Sequence, residues 1–270
     1  MRGTWLILAL LVLAPSLSQA QDAPASPLAQ AVAPPQSSQE AEDTATVKAA
    51  YEAYHQGGFG ALADHLAKLQ EVLDRAPRNF RFIDDGPTEV VYRGLGLPDY
   101  LVFSAAMQQQ WKSKGQSPKP IVWRPSPYPD ASLLVGSYYN EAQQWGLALA
   151  VLQRGLSLAP TDPALVTEAG MSLSQLRRFD QALQLYDQIL SEELFLSVGD
   201  RARILRAKGF ALTELGKLDA AEQAYNDSLK LDPDHLGAKK ELANIAHLRA
   251  GAPPTTSVLS TTDKSRKGDY

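Results

Sequence analysis

The sequence predicts an all-α chain of stacked helix-turn-helix hairpins, with one small β-hairpin inserted. Three observations carry that expectation. Gly136, Gly170 and Gly209 each stand twelve residues ahead of an alanine: Ala148, Ala182 and Ala221. Around them, apolar residues recur at spacings of three and four, the stripe of a helix with one buried face. Pro160 and Pro233 then close the first and third of these units.

Each unit reads as a pair of antiparallel helices. A small residue at a helix crossing lets two backbones approach, and large side chains from the partner helix fill the adjoining space. In the first unit Gly136, Ala148 and Gly155 are set among Val135, Tyr139, Trp145, Leu152, Leu156 and Leu158. The second repeats the pattern with Gly170, Leu173, Leu176, Phe179, Ala182, Tyr186 and Leu190. The third does so with Leu205, Gly209, Leu212, Leu215, Leu218, Ala221, Tyr225, Ser228, Leu229 and Leu231. Asp180 and Asp219 fall where a second helix begins and are expected to cap its amides. Gly216 is placed to close the helix before it.

Over residues 129–234 this pattern resembles the tetratricopeptide repeat family. The resemblance implies a right-handed superhelical solenoid of three repeats that works as a binding surface rather than a catalyst. There are two departures from the family pattern. The first step between glycines is 34 residues, but the second, Gly170 to Gly209, is 39. Ile189 and Leu194 stand where the family prefers a small residue and a proline. About one helical turn must therefore be inserted near Ser191–Asp200.

The remaining segments follow in order. Residues 1–20 read as a signal peptide: Arg2, the apolar run Trp5–Ala14, then Ser18-Gln19-Ala20 with cleavage after Ala20. That run is short for a membrane span and Pro15 follows it, so no integral span is expected after cleavage. Residues 21–45, rich in Ala, Pro and Gln, are expected to be a disordered tether, and residues 251–270 a disordered tail. Residues 46–77 read as a degenerate hairpin. Gly57-Gly58 break it, Leu62, Leu66, Leu69 and Leu73 form its stripe, and Ala50 is its close-packing residue.

Residues 78–128 form an irregular insertion and Pro-rich linker. Arg81–Ile83 and Glu89–Tyr92 flank Asp84-Asp85-Gly86-Pro87-Thr88, turn chemistry between two β-prone runs. Pro98–Ser113 is expected to be a helix, and Pro118, Pro120, Pro125, Pro127 and Pro129 an extended lead into the first repeat. Residues 235–250 are expected to cap the array. Leu242, Ile245 and Leu248 would face the last repeat, and Lys239, Lys240, Glu241 and Arg249 the solvent.

Several function classes are disfavoured. A net charge of −4 without a basic stripe argues against nucleic acid. With no cysteine there is no disulfide, thiolate zinc site or covalent haem. His55, His65, His235 and His247 are not spaced as metal pairs. Asp232-Pro233-Asp234-His235 reads as a hairpin stop and N-cap, and Asp84-Asp85 with Glu89 as a solvated turn. Gly94-Leu95-Gly96 lacks the third glycine and the Lys-Ser/Thr of a phosphate loop, and no serine sits in a Gly-x-Ser-x-Gly frame. No catalytic, metal or cofactor residue is expected.

The resemblance further implies that the first helix of each hairpin lines a concave groove. That places Leu133, Ser137 and Asn140 there from the first copy, Thr167, Met171 and Ser174 from the second, and Arg206, Phe210 and Thr213 from the third. Met171 and Phe210 are the expected anchors for an extended or helical segment. Arg206 and Asn140 alone are too few for a carboxylate clamp. The expected partner is a protein or peptide of a bacterial cell envelope, met in the periplasm or, alternatively, after secretion. Self-association of the array and an enzyme site within residues 80–123 stand as alternatives.

Overall fold

A computed structural model describes residues 37–78, 80–94, 96–191 and 196–251. The expected signal peptide, residues 21–36 of the expected tether and the tail beyond Gly251 lie outside the described residues. The first helix, α1 (Ser38–Leu62), starts inside the segment expected to be disordered. Ser37 caps it, its hydroxyl accepting the Glu40 amide at 3.1 Å. Polar anchors then take the place of the missing apolar ones. Arg75 donates to Asp43 from Nε at 3.1 Å and from Nη2 at 2.6 Å, and the Ser126 hydroxyl donates to Glu40 at 3.1 Å. Glu40 and Asp43 are both buried, so composition alone misread residues 38–45.

Gly58, at φ +64°, breaks α1, and a 3₁₀ turn (Ala63–His65) leads into α2 (Leu66–Asp74). The insertion follows. Strands β1 (Ile83–Asp85) and β2 (Val90–Tyr92) pair antiparallel, and β2 also pairs in parallel with β3 (Ile121–Trp123). This last strand was expected to be linker. Ile121-Val122-Trp123 is a three-residue apolar run between prolines, too short to be read as a strand until a partner is beside it. Between β2 and β3 runs α3 (Leu97–Ser113).

The hairpins come next: α4 (Tyr128–Glu141) with α5 (Trp145–Leu158), α6 (Pro163–Gln175) with α7 (Phe179–Ser191), and α8 (Val198–Glu214) with α9 (Leu218–Leu231). The chain then enters α10 (Leu236–Arg249). First helices stack on first helices, α1 on α4, α4 on α6, α6 on α8 and α8 on α10. This is an all-α solenoid. Although 53 residues separate their facing ends, α2 and α4 still pack together over a core that includes Val47, Leu69, Leu73, Ala131 and Leu134. The insertion therefore loops out of the stack without interrupting it.

Glycine is required at the crossings. A Cβ on Gly136 would collide with Leu152 and one on Gly170 with the Tyr186 ring; on Gly209 it would meet Tyr225 at 2.9 Å. The longer second step is absorbed largely by α8, whose 17 residues against 13 in α6 add about one turn at its start. Asp180 and Asp219 are not caps. Phe179 and Leu218 are already helical, so each carboxylate sits inside the first turn, beside the positive end of its helix. There Asp180 faces Lys217 at 3.7 Å and Asp219 pairs with Arg249 at 2.5 Å. At the end of the array His235 caps α10, its Nδ1 accepting the Ala238 amide at 3.1 Å, while Ala238 and Ile245 are buried.

Candidate functional site

The nine residues expected to line the groove separate by register. Asn140, Ser174 and Thr213 each follow a crossing glycine by four positions. On a helix that returns them to the glycine's own face, toward the second helix. All three are buried, contrary to expectation. Ser174 and Thr213 donate to the carbonyls of Gly170 and Gly209 at 2.8 and 2.9 Å. Asn140 Nδ2 donates to the Glu168 carbonyl at 3.1 Å and its carboxylate at 2.8 Å, and Oδ1 accepts the Ser172 hydroxyl at 2.6 Å. These residues hold the array together.

The two expected anchors are also more enclosed than the sequence suggested. Met171 is buried at 6% exposure. Phe210 is half-buried, edge-on to Phe179 with ring centroids 6.4 Å apart. Arg206 is half-buried and ion-paired to Asp232 at 3.3 Å. Thr167 donates to the Pro163 carbonyl at 2.7 Å, closing on its own helix. Leu133 and Ser137 are half-buried, and Leu133 alone of the nine lines the cavity described next.

That cavity, of about 650 Å³, opens one helical turn nearer the start of the first helices. Asp130, Ala164 and Arg203 line it, and each stands six residues before its repeat's glycine. Thr161–Pro163, Ser197 and Asp200 border it at the starts of α6 and α8, with Lys48, Tyr51, Glu52 and His55 contributed by α1. The insertion supplies the opposite part of the lining, chiefly Phe82, Tyr92, Phe103, Val102 and Trp123. Sequence reasoning missed the site because its walls are joined only by folding. The usable signal was the density of aromatics in residues 80–123.

The aromatic part is packed ring on ring. Tyr92 stacks on Phe103 at 4.9 Å and meets Phe82 edge-on at 5.3 Å. Trp123 lies nearly parallel to Tyr100 at 5.4 Å, and its indole N–H donates to the Gly94 carbonyl at 2.7 Å. The polar part is equally organised. Tyr51 donates its hydroxyl to Asp130 at 2.8 Å, Asp162 accepts the Ala164 and Leu165 amides at 2.9 and 3.0 Å, and Arg203 pairs with Asp200 at 2.9 Å.

Elsewhere, burial pushes the Tyr186 and Tyr225 phenols well above their usual range, against hydrogen bonds to Ser174 and Thr213. The acidic turn of residues 84–89, the alternative enzyme site, is tied to its own bases. Lys119 pairs with Asp85, Arg81 approaches Asp84 at 3.6 Å and Arg124 approaches Glu89 at 4.0 Å. Among the described residues no group of three or more His, Cys, Asp or Glu is arranged to hold a metal ion, and no helix is long and apolar enough to cross a membrane.

The third hairpin carries the family match. Residues 202–235 match the tetratricopeptide repeat. The chain carries a tetratricopeptide repeat. The matched repeat begins four residues inside α8, so Val198–Arg201 are the turn added between the second and third hairpins. Among solved structures, the first tetratricopeptide-repeat domain of human RPAP3 is 21% identical over 46% of this chain and 93% of that one, with a TM-score of 0.42. The Sgt2 domain from Aspergillus fumigatus is 17% identical over 53% and 95%, TM-score 0.42. MamA AMB-1 is 18% identical over 56% and 79%, TM-score 0.38. No curated protein matches the chain.

Proposed function

We propose that this protein is a non-catalytic interaction scaffold of the bacterial cell envelope. It takes up a segment of a partner protein between the starts of its first helices and the inserted β-β-α-β element. The observation that carries the reading is the 650 Å³ cavity, within the size range of binding sites and lined jointly by repeats and insertion. An aromatic wall already packed ring on ring lowers the ordering cost of binding, and aromatic side chains dominate the energetics of interfaces. The groove farther along the first helices is mostly closed by the array's own contacts, which favours the cavity as the anchoring point.

Val102 is 40% exposed and lines the cavity, so it can be changed with little damage to the core. Val102→Gln, which removes apolar surface without adding charge, is expected to weaken partner capture severalfold while leaving the melting temperature within about 2 °C. Undiminished capture by a folded Val102→Gln protein would remove the cavity from the reading. The envelope part is tested separately. Mass spectrometry of the mature chain is expected to find an N-terminus at Gln21, and an intact Met1 terminus in cells would contradict export.

A further inference from the structure

We infer that the partner segment seated in this cavity presents a lysine or arginine side chain beside an apolar one. This rests on the cavity being the binding site. Four carboxylates line it, Glu52, Asp130, Asp162 and Asp200, against two cations, Lys48 and Arg203. Arg203 is committed to Asp200 at 2.9 Å, and Lys48 is an exposed residue of α1. Asp130 and Asp162 are half-buried, so their charges act through a poorly solvated space, where an incoming cation is attracted more strongly than in water.

An anionic partner is disfavoured by the same geometry. The starts of α6 and α8 border the cavity, and free helix amides would attract an anion. Here they are answered from within. Asp162 accepts the Ala164 and Leu165 amides, and the Ser197 hydroxyl accepts the Asp200 amide at 3.1 Å while donating to the Asp200 carboxylate at 2.6 Å. The positive helix ends are already occupied by the protein's own oxygens.

The aromatic wall supplies the second half of the recognition. Half-buried Trp123 and Val102, which is 40% exposed, offer apolar surface for an aliphatic stem, the indole also a ring face for a cation, with the buried Tyr92 and Phe103 packed behind them. Trp123 is fixed by its bond to Gly94 and its stacking on Tyr100, so the surface is in place before any ligand arrives. A basic side chain with an apolar neighbour matches both halves; a carboxylate matches neither.

The test titrates the full chain with four acetylated tripeptide amides, Leu-X-Leu with X lysine, arginine, norleucine or glutamate. The Trp123 indole N–H resonance is the readout. The lysine and arginine probes are expected to bind about tenfold or more tighter than norleucine, with glutamate weakest, and added salt should erase the difference. The Asp130→Asn/Asp162→Asn pair keeps the acceptor for Tyr51 and the cap of α6 while removing both charges. It should abolish the preference without abolishing norleucine binding. Equal binding of lysine and norleucine, or tightest binding of glutamate, would overturn the inference and leave the site standing. Failure of every probe to move the Trp123 resonance would overturn the site as well.

Discussion

The first of the three hairpins and the two that follow share the same crossing glycine but close around it differently. In the second and third, a tyrosine from the outer helix, Tyr186 or Tyr225, fills the space beside the glycine. The hydroxyl four residues on, Ser174 or Thr213, then bonds both to the glycine's carbonyl and to that phenol. In the first, Leu152 takes the tyrosine's place and has no hydroxyl. The corresponding Asn140 turns instead to the next repeat and bonds Glu168 and Ser172. One register position thus closes a hairpin in two repeats and couples neighbouring hairpins in the other.

The largest effect is expected where the packing partner is least able to move. Gly170→Ala drives a methyl into the fully buried Tyr186 and should cost about 3 kcal/mol; Gly136→Ala meets the more adaptable Leu152 and should cost about 1–2 kcal/mol. Urea midpoints in the opposite order would show that the two crossings do not differ in the way described.

Next comes coupling. Asn140→Ala leaves the Ser172 hydroxyl and the Glu168 carboxylate without that partner and should cost about 1–3 kcal/mol, against about 1 kcal/mol for Ser174→Ala. Because each repeat leans only on its neighbours, the Asn140 variant should also separate the melting of the N-terminal hairpins from the rest. A single sharp transition at unchanged temperature would remove Asn140 from the coupling role.

The tyrosines sharpen the comparison through pH. Burial raises their folded-state pKa above the unfolded value of about 10. Below that value both states keep the proton and stability is unaffected. Above it the unfolded chain ionises first, so stability falls by about 1 kcal/mol for each tyrosine at pH 11. Tyr186→Phe should flatten that alkaline loss, whereas Leu152 has no proton to lose and the first crossing contributes nothing. The first repeat's share comes from Tyr128 at the start of α4, whose phenol pKa is also raised by burial. An alkaline slope identical in wild type and variant would contradict this assignment.

The smallest effect is at the hairpin turns. Gly216 has φ +70°, while the corresponding Arg177 and Gln143 hold +58° and +57° with a Cβ to accommodate. Gln143→Gly should therefore stabilise by about 0.5–1 kcal/mol. Arg177→Gly should gain less, because Arg177 also lies over the Phe179 ring at 5.5 Å. Destabilisation by Gln143→Gly would mean that its side chain matters more than its backbone.

The repeat architecture was legible because its determinants are local and recurrent: a glycine, the alanine twelve residues on, and a stripe at three and four. The start of α1 was not, because its anchors are polar and distant in sequence. Asp43 meets Arg75, and Glu40 meets Ser126, 86 residues away. The groove assignment failed at Asn140, Ser174 and Thr213 because an interval of four leads back to the packed face. Met171 failed because composition does not report enclosure. The cavity was invisible for a related reason: its lining runs from Lys48 to Arg203, and no window of sequence contains both walls.

The central claim is that a partner enters between the repeats and the insertion. Its most direct test places a photo-reactive benzoylphenylalanine at Val102, which lines the cavity, or at Leu147, which is 54% exposed on α5 and outside the cavity lining. After irradiation in cells, the account predicts a discrete crosslinked partner from position 102 and none from position 147. The same adduct from position 147, with nothing captured at position 102, would contradict it.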